Sequence, residues 1–227
     1  MPLERATAAL TLLARHPVPR ALVRAAGGIE CHLVGGVLRD RLLGLPALDF
    51  DAVVERDGAA IGERLAAELG ARLVPLGGKE FAAYRLAGDG FHLDLWDREG
   101  AGLASDLARR DFTVNSFAFD LTEPRLVDPH HGLRDLEARL LRATTPASFT
   151  GDPLRVLRLG RLLVQLPGFS VDSPTVALAR AAAPGVARIA AERVREELSR
   201  LFASPEAHQG VALLHELGIY PGLEQWG

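Results

Sequence analysis

The chain has 227 residues, of which 48% are hydrophobic and 24% are charged, as expected for a globular protein with a buried core. Its formal net charge of −3 argues against a protein that coats nucleic acid non-specifically, because such binding needs a strongly basic surface. No apolar run approaches the roughly 20 residues that span a bilayer, and Glu4 interrupts any signal-peptide pattern, so we expect no membrane association. Cys31 is the only cysteine, which favours a reducing compartment, the cytoplasm.

Positive charge is carried almost entirely by arginine, since Lys79 is the sole lysine. Six arginines are concentrated in the segment 130–166: Arg134, Arg139, Arg142, Arg155, Arg158 and Arg161. Guanidinium groups suit fork-like contacts with phosphates or base edges. An arginine-rich composition can equally reflect a bias of the genome.

Apolar spacing and glycine or proline breaks predict an α/β first half and a helical second half. The predicted helices and strands of the first half are helices 3–15 and 20–26, separated by Pro17 and Pro19, strand 31–34, helix 37–43, strand 49–54, helix 59–69 and strands 72–76, 82–86 and 91–96. After Asp120 the predicted elements are helices 133–141, 152–165, 173–182, 188–203 and 206–217.

A glycine pair and a carboxylate pair lie close together in the first half. Gly35 and Gly36 separate a strand from a helix, where free backbone N–H groups and the helix dipole favour a phosphate. Asp49 and Asp51 then share one face of the next strand, because side chains repeat every two residues. Two such carboxylates suit divalent cations, which would activate a 3′-hydroxyl and stabilise leaving pyrophosphate. Either motif alone is more often an ordinary turn or a solvated strand end.

Asp94 is the expected third carboxylate. It lies between apolar residues in the strand 91–96, an unfavourable place for an acid without a function. The alternative is that Asp94 simply points to solvent from a half-buried strand. We favour a metal-binding role alongside Asp49 and Asp51.

The segment 106–116, Asp-Leu-Ala-Arg-Arg-Asp-Phe-Thr-Val-Asn-Ser, resembles a signature of the class II tRNA nucleotidyltransferase and poly(A) polymerase family, the CCA-adding group of the polymerase-β superfamily. Only Ser116 departs from the signature, where the family has alanine. The resemblance runs from about Cys31 to Gly218 and includes five motifs in family order.

The resemblance implies a role for each matching residue. It places Gly35, Gly36, Arg39 and Asp40 in the nucleotide-binding first motif, Asp49 and Asp51 at the metal, and Arg109, Arg110, Asp111 and Asn115 against ribose and triphosphate. It also implies a hinge at 128–136, a base-reading helix with Asp152, Arg155 and Arg158, and a supporting helix at 191–198. The spacing by three of Asp152, Arg155 and Arg158 independently predicts a stripe along one helix, although an exposed Asp–Arg pair would look the same.

The fold implied is α+β: a nucleotidyltransferase head with a mixed or antiparallel sheet and helices, followed by an all-α neck and a partial body. We expect N-terminal helices at 1–28, the head at 29–143 and the neck with the start of the body at 144–227. The family's usual helical body and tail would follow Pro221, so the chain looks truncated after the neck.

Two further departures concern base selection. The family's glutamate before the base-reading aspartate is Gly151 here. The flexible loop before the Arg-Arg-Asp motif is shortened to 97–105, and in the family loss of that loop accompanies enzymes that stop after two cytidines.

The implied activity is template-independent addition of CC or CCA to a tRNA 3′ end, with CTP and ATP as substrates and two Mg²⁺ or Mn²⁺ ions as cofactors. Without the tail, RNA would be held by the arginines at 134–161 or with a protein partner. The alternatives are a poly(A) polymerase or A-adding enzyme and a non-catalytic RNA- or nucleotide-binding relic.

Overall fold

The computed structural model describes residues 2–76, 83–98 and 102–219 and confirms the expected α+β fold. The chain forms two compact units that are interleaved in sequence. The first consists of Met1–Ala108 and Val114–Leu133, and the second of Arg109–Thr113 and the chain from Arg134 onward. The boundaries drawn from the sequence at 28 and 143 stay predictions.

The first unit contains a sheet and surrounding helices. Its helices are α1 (Leu3–Ala14), α2 (Pro17–Ala26), α3 (Gly36–Leu43), α4 (Gly58–Leu69) and α5 (Leu103–Ala108). Its strands are β1 (Cys31–Val34), β2 (Asp49–Val54), β3 (Arg72–Leu76), β4 (Ala83–Gly88), β5 (Phe91–Asp97), β6 (Ala118–Asp120) and β7 (Arg125–Val127). Ala82, expected at the start of the fourth strand, lies outside the described residues.

The seven strands form one mixed sheet in the order β3-β4-β5-β2-β1-β6-β7. Neighbours pair antiparallel except β2 and β5, which are parallel. One face, with Phe50 and Leu93, packs against the apolar sides of α1 to α4. The opposite face carries a smaller apolar cluster with Val34 and Val53. Alternation along β2 therefore places Asp49 and Asp51 on the less covered face.

The second unit is mainly helical. Its helices are α6 (Gly132–Glu137, which begins at the end of the first unit), α7 (Ser148–Gly151), α8 (Arg155–Gln165), α9 (Ser173–Ala182), α10 (Ala191–Phe202) and α11 (Ala207–Glu216). Helices α8 and α11 approach closely where Gly160 meets Gly210, since a Cβ at Gly210 would lie 2.8 Å from the Gly160 carbonyl oxygen. The glycine pair thus sets this helix packing.

Several boundaries differ from those predicted. Pro17 and Pro19 end α1 as expected, but they also form the first turn of α2, where a missing N–H has no helical partner to lose. The predicted helix 133–141 ends at Glu137, and Leu140–Leu141 (β8) pairs with Ser170–Val171 (β9), so the second unit is not entirely helical. Residues 183–188 form a 3₁₀ helix before α10, and Thr113–Asn115 forms another.

In the described parts of the chain, no helix is long and apolar enough to cross a membrane.

Candidate functional site

The turn between β1 and α3 has the geometry that its two glycines predict. Gly35 has φ 75° and ψ −151°, a conformation that a side chain would strain, and it precedes the first turn of α3. A Cβ at Gly36 would lie 3.3 Å from an Arg39 guanidinium nitrogen. A side chain at position 36 would therefore crowd Arg39, and the first backbone N–H groups of a helix are a favourable place for an anionic ligand.

The candidate carboxylates lie in one row across the sheet. In the parallel pair β2·β5, Asp51 is directly opposite Asp94, and Asp49 is opposite His92. Neighbouring strands are about 4.8 Å apart, and paired residues point to the same face. The sheet thus brings Asp49, Asp51 and Asp94 to the same face of two adjacent strands.

Two basic residues contact these carboxylates. Arg85 of β4 is opposite Asp94 and forms a two-pronged ion pair with it, with Nε–Oδ1 at 2.7 Å and Nη2–Oδ2 at 2.6 Å. His92 Nδ1 lies 3.5 Å from Asp49 Oδ1, and the Asp49 side chain is 93% exposed. Among the described residues, no three His, Cys, Asp or Glu side chains are gathered closely enough to hold a metal ion as they stand. The backbone register suits a metal centre, whereas the side chains are paired with other groups.

Arg39, Asp40 and Asn115 form a polar group at the start of α3. Arg39 is 8% exposed, and its guanidinium donates to Asp40 Oδ1 at 2.7 Å through Nε and to Asn115 Oδ1 at 2.7 Å through Nη1. Asn115 is also buried. The structure therefore brings residues of the first and second motifs together, with Arg39 engaged by protein groups.

In the second unit, arginines of α8 bind the Arg-Arg-Asp segment. Arg155 donates through Nη2 to the Arg109 carbonyl at 2.6 Å and through Nη1 to the Ser148 carbonyl at 2.9 Å. Its Nε is buried without a hydrogen-bond partner among the described residues. Burial lowers the pKa of Arg155, although Asp111 and Asp152 oppose the shift. The Arg110 carbonyl accepts from Ser148 Oγ at 3.3 Å.

Asp111 and Arg158 form a second contact between these segments. Arg158 Nη1 lies 3.3 Å from Asp111 Oδ2, while Asp111 Oδ1 accepts from the Phe112 N–H at 2.7 Å. Arg158 also donates to Glu197 of α10 at 3.1 Å. Burial by itself lowers the pKa of Arg158, but Asp111 and Glu197 outweigh it and the net shift is upward. Arg158 is thus held as a permanent cation between two carboxylates.

The predicted stripe of Asp152, Arg155 and Arg158 along one helix is wrong for its first member. Helix α8 begins at Arg155, and Asp152 has extended backbone angles of φ −150° and ψ 97°. Pro153 explains the difference, because a proline disfavours the helical conformation of the residue before it. Asp152 instead accepts from the Leu154 N–H at 3.2 Å and pairs with Arg193 of α10 at 2.9 Å. Gly151, in place of the family's glutamate, has open space at its Cβ.

Most of the arginines proposed to grip RNA are bound within their own unit. Arg142 pairs with Asp135 at 3.0 Å and with Asp172 at 2.5 Å. Arg139 donates to the Pro167 carbonyl, and Arg161 to Glu197. These side chains stabilise the fold, so fewer charges are available for phosphate than the sequence indicates.

The same motifs match known families. The protein-family model described as "Poly A polymerase head domain" matches residues 31–142. A second family model, described as "Probable RNA and SrmB- binding site of polymerase A", matches residues 168–225. Together they match about three quarters of the chain. The chain belongs to the tRNA nucleotidyltransferase and poly(A) polymerase family. Members of this family generally use divalent metal ions.

The relatives of this chain include two curated enzymes and one protein of known structure. The CC-adding tRNA nucleotidyltransferase of Geobacter sulfurreducens is 37% identical over 194 residues, covering 84% of this chain and 45% of its own length. The multifunctional CCA protein of Xylella fastidiosa is 40% identical over 209 residues, with 86% and 49% covered. The Thermotoga maritima CCA-adding enzyme complexed with tRNA superposes with a TM-score of 0.80 at 28% identity, over 90% of this chain and 51% of that one. The chain thus spans about half the length of the relatives it matches.

Proposed function

We propose that this chain transfers nucleotides from CTP and ATP to the 3′ end of tRNA without a nucleic-acid template, building the CC or the complete CCA end. The observation that carries the proposal is the register of β2 and β5, which puts Asp51 opposite Asp94 on the face that also bears Asp49. The relatives named as CC-adding and CCA enzymes support it, and they favour tRNA over a poly(A) product.

We assign Asp49, Asp51 and Asp94 as ligands of two divalent cations, Mg²⁺ or Mn²⁺. Their donor set is entirely carboxylate oxygen, which hard cations of this size prefer. When bound, such ions supply Lewis-acid chemistry at the phosphate and lower the pKa of the attacking hydroxyl. The chain's own contribution is to fix three acids on adjacent strands, so that they converge without reorganising the backbone.

The first unit also supplies phosphate binding in this proposal. Gly35 and Gly36 begin the eight-residue helix α3, where the helix dipole and unpaired backbone N–H groups favour negative charge. Arg39 has a positioning role, because its guanidinium is bound by Asp40 and Asn115. This group holds α3 against the segment that follows the Arg-Arg-Asp motif.

The second unit supplies recognition of ribose and base. Arg109, Arg110 and Asp111 are assigned to ribose and triphosphate, and Asp152 and Arg155 to the base. The buried, unpartnered Nε of Arg155 supports this assignment, because a buried donor without an acceptor is costly unless a ligand satisfies it. Arg158, which the family resemblance places among the base-reading residues, is bound through Nε by Glu197 and through Nη1 by Asp111, so we assign it instead to positioning Asp111.

RNA binding should be weak and salt-sensitive. Even six free arginines would make only about six phosphate contacts, and log affinity falls with log salt in proportion to that number. The internal pairing of Arg142 and Arg161 reduces it further. A protein partner that adds contacts to tRNA is compatible with this arrangement. We place the enzyme in the cytoplasm, where Cys31, a free buried thiol, stays reduced.

The test is to incubate the chain with Mg²⁺, one NTP at a time, and tRNAs that end before, within or after CCA. Incorporation of two residues from CTP alone, with no further addition from ATP, indicates CC addition. Incorporation of AMP on a CC-ended tRNA indicates CCA or A addition. Long ATP-dependent tails on any RNA would identify a poly(A) polymerase instead. No incorporation with any RNA at low salt would refute the enzyme and leave a binding relic.

A further inference from the structure

Arg85 is a cation held against the proposed metal site by the sheet itself. It lies on β4 directly opposite Asp94 of β5, and Asp94 lies directly opposite Asp51 of β2. The order β4-β5-β2 therefore produces a row of one guanidinium and two carboxylates on the same face. Two carboxylates about 4.8 Å apart across neighbouring strands repel each other unless a positive charge lies beside them. Arg85 is such a charge.

The contact occupies both oxygens of Asp94. Nε donates to Oδ1 at 2.7 Å and Nη2 to Oδ2 at 2.6 Å, the fork-to-fork geometry of a strong charge-assisted pair. A divalent ion would need the same oxygens and would be repelled by the guanidinium next to it. The pair with Arg85 thus holds Asp94 away from the other acids although the backbone register places it opposite Asp51.

The pair is placed where it can open at low cost. The Arg85 side chain is 49% exposed and that of Asp94 is 26% exposed, so the bond contributes little to folding. Removing Arg85 should accordingly leave the sheet intact. Its main effect should be on what Asp94 binds.

We propose that Arg85 is a positioning residue that competes with the metal ion for the Asp94 carboxylate. This inference rests on the metal-binding role proposed for Asp94. In the metal-free protein it holds Asp94 and screens its charge. Metal binding displaces the guanidinium, so Arg85 weakens metal affinity and makes the recruitment of Asp94 the last step in assembling the site.

The test measures Mn²⁺ binding without nucleotide, by the electron paramagnetic resonance signal of free Mn²⁺, for the unaltered chain, Arg85→Gln, Asp94→Asn and the double variant. Arg72→Gln is the matched control, because Arg72 is an exposed arginine on the neighbouring strand β3. We expect Arg85→Gln to bind Mn²⁺ about two- to fivefold more tightly, as loss of a competing partly exposed ion pair implies. Asp94→Asn should bind more weakly and should abolish the effect of Arg85→Gln. Arg72→Gln should match the unaltered chain.

Each outcome decides between the alternatives. Equal or weaker Mn²⁺ binding by Arg85→Gln, with clear binding by the unaltered chain, would overturn the competition while leaving the metal site in place. The same gain in the Asp94→Asn background would overturn it too, since Arg85 would then act by general charge. If neither the unaltered chain nor Arg85→Gln bound Mn²⁺, the proposed metal site and the competition would both fail. Circular dichroism of each variant confirms that the fold is retained.

Discussion

Glu197 should contribute strongly to the stability of the second unit, because it is a buried carboxylate that receives two arginines. It is 6% exposed on α10 and receives two arginines of α8, with Arg158 Nε at 3.1 Å and Arg161 Nε at 2.6 Å. Burial lowers the pKa of Arg161, and Glu197 is the first of the groups that oppose this shift. Replacing Glu197 by Gln keeps the size of the side chain and one acceptor oxygen but removes the charge.

The expected cost can be worked out from these contacts. Removing one partner of a buried ion pair typically costs about 3–5 kcal/mol, because the other charge is left uncompensated. Glu197→Gln leaves Arg158 with Asp111, at 3.3 Å, but leaves Arg161 without a carboxylate in the described contacts. The retained acceptor and the remaining Asp111 pair place the result near the low end, about 3 kcal/mol in the free energy of unfolding.

The assay is urea unfolding followed by circular dichroism. The control is Glu196→Gln on the same helix, since Glu196 is exposed and pairs with Arg200 one turn away, a contact worth about 0.3–0.5 kcal/mol. If Glu197→Gln unfolded within error of Glu196→Gln, the network would contribute nothing and the reasoning would be refuted.

Three further predictions follow from separate parts of the chain. Asp51→Asn should reduce nucleotide incorporation by more than about a hundredfold without changing the circular dichroism spectrum, because a neutral amide is a poor ligand for divalent cations; near-normal turnover would refute the metal assignment. Burial lowers the pKa of His32 below its ordinary value, although Asp120 and Glu30 oppose the shift. As the pH falls below about 6.5 the unfolded chain therefore binds a proton before the folded chain does, and stability is lost. His32→Gln should reduce the difference in unfolding free energy between about pH 7.5 and pH 5.5, and an unchanged difference would contradict this. Asp128 accepts from the Gly132 N–H at 2.7 Å at the start of α6, so Asp128→Ala should cost about 1–2 kcal/mol in urea unfolding, and a loss below about 0.3 kcal/mol would show that the cap is dispensable.

Local pattern predicted the parts of the fold that depend on nearby residues. The alternation of Asp49, Phe50 and Asp51 correctly placed both acids on one face of β2, and the two glycines correctly placed the turn before α3. The short strands β6 and β7 were not predicted, because three residues carry too little periodicity and only the sheet edge beside β1 makes them strands.

The strand partners of Asp94 also differ in whether nearby residues predict them. The Asp89–Gly90 turn pairs Gly88 with Phe91, and counting back along the two strands puts Arg85 opposite Asp94, so this partner was available from the hairpin alone. The pairing of Asp51 with Asp94 was not available, because β2 and β5 run parallel with β3 and β4 between them in sequence, and no short-range signal sets such a register. The carboxylate row thus results from a non-local pairing, whereas the cation beside it results from a local one. Arg85 can therefore be exchanged by a single substitution without disturbing the register that brings the acids together.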